Sequence, residues 1–96
     1  MTEFEKIVAE ILALHDRKQH DYGRMNDPFA NVRASEDFGI PGWVGAVVRG
    51  NDKMRRLQNA AKGTLLKNES IEDSLMDMAV YSIIALVLYR EAQRDH

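Results

Sequence analysis

Four side chains able to hold a cation or a proton recur at every fourth residue near the end of the chain: Glu69, Asp73, Asp77 and Tyr81. Four residues advance an α-helix by about 400°, so the set drifts by only about 40° per step along one face. Asp73 lies seven residues before Val80, and Asp77 seven before Ile84. Both acids therefore fall in the apolar half of the helix, aimed at whatever packs against it. Two carboxylates so aimed repel each other and are costly to desolvate. A divalent cation removes both costs, and hard oxygen ligands at this spacing suit Mg²⁺ or Mn²⁺. Asp73 also has a plainer reading. With Ser70 as N-cap it occupies the third helical position, where an acid closes a capping box and favours the helix dipole.

A second group is Arg49-Gly50-Asn51-Asp52-Lys53-Met54-Arg55-Arg56-Leu57. Asp52 and Arg56 are four apart, which a surface ion pair explains. Asp52 points almost opposite the Val47–Met54 stripe. A functional role for it requires that second face, shared with Gly45 and Val48, to line a site or a subunit contact. The third group is His15, Lys18, His20, Asp21 and Tyr22. Lys18 and Tyr22 continue the core face of the first helix, and a lysine there can bind phosphate from a cleft. A lysine stem lying along apolar surface is the alternative. His15 reads as a packed, hydrogen-bonded histidine, and His20 has only Asp16 as a helical partner. Trp43 reads as a core or interface anchor.

The elements that must position these residues are helical. Thr2 and Glu5 form a capping-box pattern. Phe4, Ile7, Val8, Ile11 and Leu12 then recur at helical spacing up to a stop at Gly23. Asp27-Pro28 opens a short helix running to about Glu36. Pro41-Gly42 opens a third, to about Lys62, with an apolar stripe of Trp43, Val47, Met54, Leu57 and Ala61. Gly63 ends it, and Thr64 to Lys67 form the connection. Asn68 or Ser70 caps the last helix, which reaches about Gln93 and is apolar nearly all round from Met78 onward. The pattern predicts an all-α bundle of three longer helices and one short helix, in a single domain over residues 1–96.

Composition narrows the chemistry. The chain has 96 residues, 45% hydrophobic and 29% charged, with 13 Lys+Arg against 15 Asp+Glu. The near-balance argues against direct nucleic-acid binding, which normally shows a basic excess. The absence of cysteine excludes disulfides, zinc–thiolate sites and thiol nucleophiles. No phosphate-binding Gly-rich loop, serine-nucleophile motif or H-E-x-x-H is present. The start, Met1-Thr2-Glu3-Phe4-Glu5, is acidic and carries no signal-peptide apolar run. The apolar stretch Met78 to Tyr89 is shorter than the roughly 20 residues a bilayer span takes. The expectation is a cytoplasmic chain with no membrane contact.

Lys18-x-x-Asp21-Tyr22-Gly23, Phe29-x-Asn31, Gly39-Ile40, Arg49-x-x-Asp52-Lys53-x-x-Arg56-Leu57 and Glu69-Ser70-x-x-Asp73-x-x-x-Asp77-x-Ala79-x-Tyr81 occur in this order. Over Lys18 to Leu88 the chain resembles the phage and bacterial nucleotide modification associated domain group. That group is similar to the all-α nucleoside triphosphate pyrophosphatases, which include MazG and the dimeric dUTPases. The resemblance implies a MazG-like fold, a homodimer or homotetramer, and Mg²⁺-dependent cleavage of a nucleoside triphosphate to monophosphate and pyrophosphate. It implies that Asp52, Asp73 and Asp77 form the catalytic set and hold Mg²⁺ or Mn²⁺ together with Glu69. Lys18, Lys53 and Arg56 would neutralise phosphate charge. Tyr22 and Asn31 would contact base or ribose, with Asp21 and Tyr81 completing the substrate-binding set. The chain departs from the E-x-x-E … E-x-x-D pattern of the broader pyrophosphatases. The third helix offers one acid, Asp52, and Ser74 stands where a Glu is expected before Asp77. A non-catalytic nucleotide-binding or regulatory module is the alternative implied by that thinning.

Overall fold

The computed structural model describes residues 1–22, 29–63 and 70–94, with the side chains of all of these except 17–22, 30 and 31. Every regular element among the described residues is helical, as the periodicity predicts. The order is α1 (Glu3–Tyr22), α2 (Ala30–Arg33), a 3₁₀ turn (Ala34–Phe38), α3 (Gly42–Ala61) and α4 (Ile71–Arg94). The expected stop at Gly23, the Asp27-Pro28 opening, the Thr64 to Lys67 connection and the Asn68 cap lie outside the described residues. The chain divides into two compact units, Met1–Ala30 and Asn31–His96.

In the first unit, α1 begins with the capping box that the sequence predicts. The Thr2 N–H donates to Glu5 Oε1 at 3.0 Å, and the Glu5 N–H donates to Thr2 Oγ1 at 3.1 Å. On the apolar face of this helix Phe4, Ile7, Val8 and Leu12 are exposed. His15 is half-buried and stacks on Phe29 with ring centroids 5.8 Å apart, which fits the packed-histidine reading.

The second unit is built on α3 and α4. They run antiparallel, with Gly42 beside Leu88, Gly50 beside Tyr81 and Lys53 beside Asp77. Eleven residues forward along α3 correspond to eleven back along α4. The seam residues of α3 are Gly42, Ala46, Gly50, Lys53, Leu57 and Ala60, all buried or half-buried. This corrects the expected stripe by one residue around the helix. Val47 and Met54, both expected inside, are 52% and 41% exposed. The cause is backbone approach. Gly42, Ala46 and Gly50 recur at i, i+4 and carry too little side chain to hold α4 away. The face with the larger apolar side chains is left outside. On α4 the seam holds Ser74, Ile84, Ala85 and Leu88, and Leu88 alone, once buried, contributes about 2 kcal/mol of apolar transfer energy.

The predicted short helix is half α and half 3₁₀. Ser35 Oγ lies 3.1 Å from Ile40 O, 3.3 Å from Pro41 O and 3.4 Å from Val32 O, and donates to one of them at a time. That hydroxyl folds the chain back before α3. Gly39, at φ 76°, supplies the left-handed residue that ends the turn. Ser70 caps α4: its Oγ accepts the Asp73 N–H at 3.0 Å. No helix among the described residues is long and apolar enough to cross a membrane.

Candidate functional site

The α3–α4 seam brings together residues from two of the three sequence clusters. Lys53 comes from the middle of α3, where Gly50 has already brought the two backbones close. Asp77 comes from the second turn of α4. Their register places Lys53 Nζ 3.0 Å from Asp77 Oδ2, with side chains 19% and 24% exposed. At that burial the pair is shielded from bulk water, and removing either partner leaves the other charge uncompensated. One turn toward the α3 N-terminus, the Arg49 guanidinium sits 5.9 Å from the Tyr81 ring centroid, within cation–π range. Arg49 and Arg56, on the same helix, are exposed.

One turn before Asp77, Ser74 is fully buried. Its hydroxyl has no hydrogen-bond partner among the described residues. A buried hydroxyl without a partner costs roughly 1–3 kcal/mol. In the sequence Ser74 stands out only as the position where a Glu is expected; its burial is a finding of the structure. The signal was present, because Ser74 lies three residues before Asp77 on the inward face.

The other expected ligands are not brought to this point. Asp73 is exposed at the third position of α4, its N–H held by Ser70. This corrects the expectation that it faces inward: the seam is centred on Ser74, about 100° away around the helix. Asp52 is exposed, on the side of α3 that the periodicity predicts. Glu69 lies outside the described residues, as do the side chains of Lys18, Asp21, Tyr22 and Asn31. Among the described residues no three His, Asp or Glu side chains come together to hold a metal ion. Of the four acids expected to hold Mg²⁺ or Mn²⁺, Asp77 faces the Lys53 ammonium, Asp52 and Asp73 are exposed, and Glu69 lies outside the described residues.

At the other end of the hairpin lies a cavity of about 360 Å³, walled by Ile40, Trp43 and Leu88 and edged by Arg33, Glu36 and Glu91. It is about 16 Å along α3 from Lys53, at 1.5 Å per residue. Arg33 Nη2 donates to Glu91 Oε2 at 2.6 Å, and Arg33 Nη1 lies 3.7 Å from Glu36 Oε1. Trp43 meets Tyr89 edge-on, with centroids 5.7 Å apart, so it is both an anchor and a cavity wall. Arg33 and Glu91 are 58 residues apart in sequence, and no local pattern marks them as partners. Compared with protein-family models, with curated proteins and with solved structures, the chain matches none.

Proposed function

We propose that this chain acts on nucleoside triphosphates, gripping the phosphate chain at the α3–α4 seam and releasing pyrophosphate to leave the monophosphate. The observation that carries the reading is the half-buried Lys53–Asp77 pair, with the exposed cations Arg49 and Arg56 on the same helix. A tethered ammonium held in place by a carboxylate is preorganised for a phosphate oxygen, so little ordering cost remains when the ligand arrives. Asp77 is then released to orient a water. Mg²⁺ or Mn²⁺ enters as the counter-ion of the triphosphate, because the described acids of one chain do not assemble a cage for it. The likeness of the motif order to the all-α pyrophosphatases supports the same reading.

A MazG-like assembly into a dimer or tetramer belongs to this proposal. Its support is the amount of large apolar surface left outside in one chain, including Val47, Val48, Ile83 and Leu86. A second reading, nucleotide binding without turnover, is favoured by the engagement of Asp77 with Lys53, which leaves one fewer carboxylate for water activation.

The deciding experiment is a panel of common and modified nucleoside triphosphates with Mg²⁺ or Mn²⁺ and pyrophosphate detection. Turnover abolished by Asp77→Asn, in a variant of unchanged helicity, supports the enzyme. Calorimetric binding without pyrophosphate supports the second reading. Neither binding nor turnover removes both.

A further inference from the structure

We propose that the cavity at the start of α3 is a binding site for a small organic cation, an ammonium carried on a flat apolar body. Its volume is about 360 Å³, at the small end of ligand pockets. That is roughly twice the volume of an apolar cavity that holds benzene, enough for a ring and a short amine arm. Ile40, Trp43 and Leu88 supply the apolar walls, and the acids of the rim supply the polar end. Arg33 makes its short bond to Glu91, at 2.6 Å, and stands 3.7 Å from Glu36 Oε1. The second distance is beyond hydrogen-bond range, so the Glu36 carboxylate keeps acceptor capacity for another donor.

The geometry joins the two halves of such a ligand. A Cβ built on Gly42 would stand 2.9 Å from Glu36 Oε1 and 3.4 Å from Leu88 Cδ1. The carboxylate and the apolar wall therefore meet over Gly42, where no side chain stands between them. A ligand whose ammonium reaches Glu36 lays its apolar body against Leu88 and Trp43. Charge selects the sign. The rim carries the carboxylates of Glu36 and Glu91 against the guanidinium of Arg33. The start of α3 adds a positive charge of roughly half a unit, and the balance is still negative. Arg33 is committed to Glu91, so an anion entering here meets two carboxylates.

The test uses the full chain and 2-phenylethylammonium chloride as the probe, and it does not depend on any nucleotide activity. Trp43 is the one tryptophan of the chain, so tryptophan fluorescence reports on the cavity wall. The probe should change that emission saturably, with half-saturation at about 1–10 mM for a ligand of about nine non-hydrogen atoms. 3-Phenylpropionate, of like size and opposite charge, should bind at least about tenfold more weakly. Glu36→Gln keeps the shape and removes the charge, and should weaken the amine about three- to tenfold. Ala92→Leu fills the cavity from α4 without altering either acid, and should abolish the response in a variant of unchanged helicity. If Ala92→Leu loses helicity, the two probes and Glu36→Gln decide. Absence of a saturable wild-type response up to about 50 mM overturns the proposal. So does an equal affinity for the two probes, an amine affinity unchanged by Glu36→Gln, or a response that survives in folded Ala92→Leu.

Discussion

Two glycines of α3 make a matched test of how closely the elements of the second unit approach. A Cβ built on Gly45 would stand 2.8 Å from the Val32 carbonyl oxygen and 2.7 Å from Ser35 Oγ. The serine can rotate away, but the carbonyl belongs to the backbone and cannot yield without shifting α2. A Cβ built on Gly50 would meet only Tyr81 Cβ, at an ordinary 3.6 Å. Both residues are interior to α3, so Gly→Ala gains each the same helix propensity, about 1 kcal/mol. Gly50→Ala should therefore be neutral to stabilising by up to about 1 kcal/mol. Gly45→Ala gains the same amount and loses about 1–3 kcal/mol to overpacking. The difference between the two variants should be near 2 kcal/mol, or about 8–16 °C in Tm for a domain of this size. Thermal melts of both purified variants measure it. Equal Tm values would falsify the close contact between α3 and the turn before it, and with it the placement of Arg33 beside Glu91.

Ser70→Ala removes the acceptor for the Asp73 N–H and should cost about 1 kcal/mol, with increased amide exchange confined to the first turn of α4. The Thr2 N–H donated to the Glu5 carboxylate, followed by the Thr2 side chain, holds the Glu5 pKa below its ordinary 4.5. The resulting stabilisation of the α1 start is present above pH 4.5 and is lost as pH falls through the lower folded-state pKa. An NMR titration of Glu5 should show that depressed midpoint, and Thr2→Ala, which removes only the side-chain contribution and keeps the backbone N–H, should move it part of the way back. Leu86→Lys places a charge on exposed apolar surface, so light scattering should report a lower mass than wild type at unchanged helicity; an unchanged mass removes this surface from the proposed assembly.

The helical class was legible because Thr2, Glu5, Ser70 and the 3.6-residue spacing act locally. What the sequence did not reveal was which face of α3 turns inward. Periodicity weights large apolar side chains such as Val47 and Met54. The contact instead follows Gly42, Ala46 and Gly50, whose value lies in their small size. The same one-residue rotation brings Lys53, expected only as a phosphate ligand, into the seam. On α4 the inward face is centred on Ser74, so Asp77 lies toward the seam and Asp73 does not. The cavity at Trp43 was out of reach for another reason, since its charged rim joins residues from α2 and the last turns of α4.

The antiparallel register also bears on how this hairpin can change over time. Each α3 position has one opposite number on α4, as Gly42 has Leu88, Gly50 has Tyr81 and Lys53 has Asp77. A larger residue at one position is tolerated only with a smaller one opposite, and a lost charge only with its partner lost. Inheritance at these sites should therefore be pairwise. An insertion between the two helices leaves the pairs intact, whereas one inside either helix breaks every pair beyond it at once. Among descendants of this sequence, length variation should accumulate outside the paired stretches, and substitutions along the seam should arrive in twos.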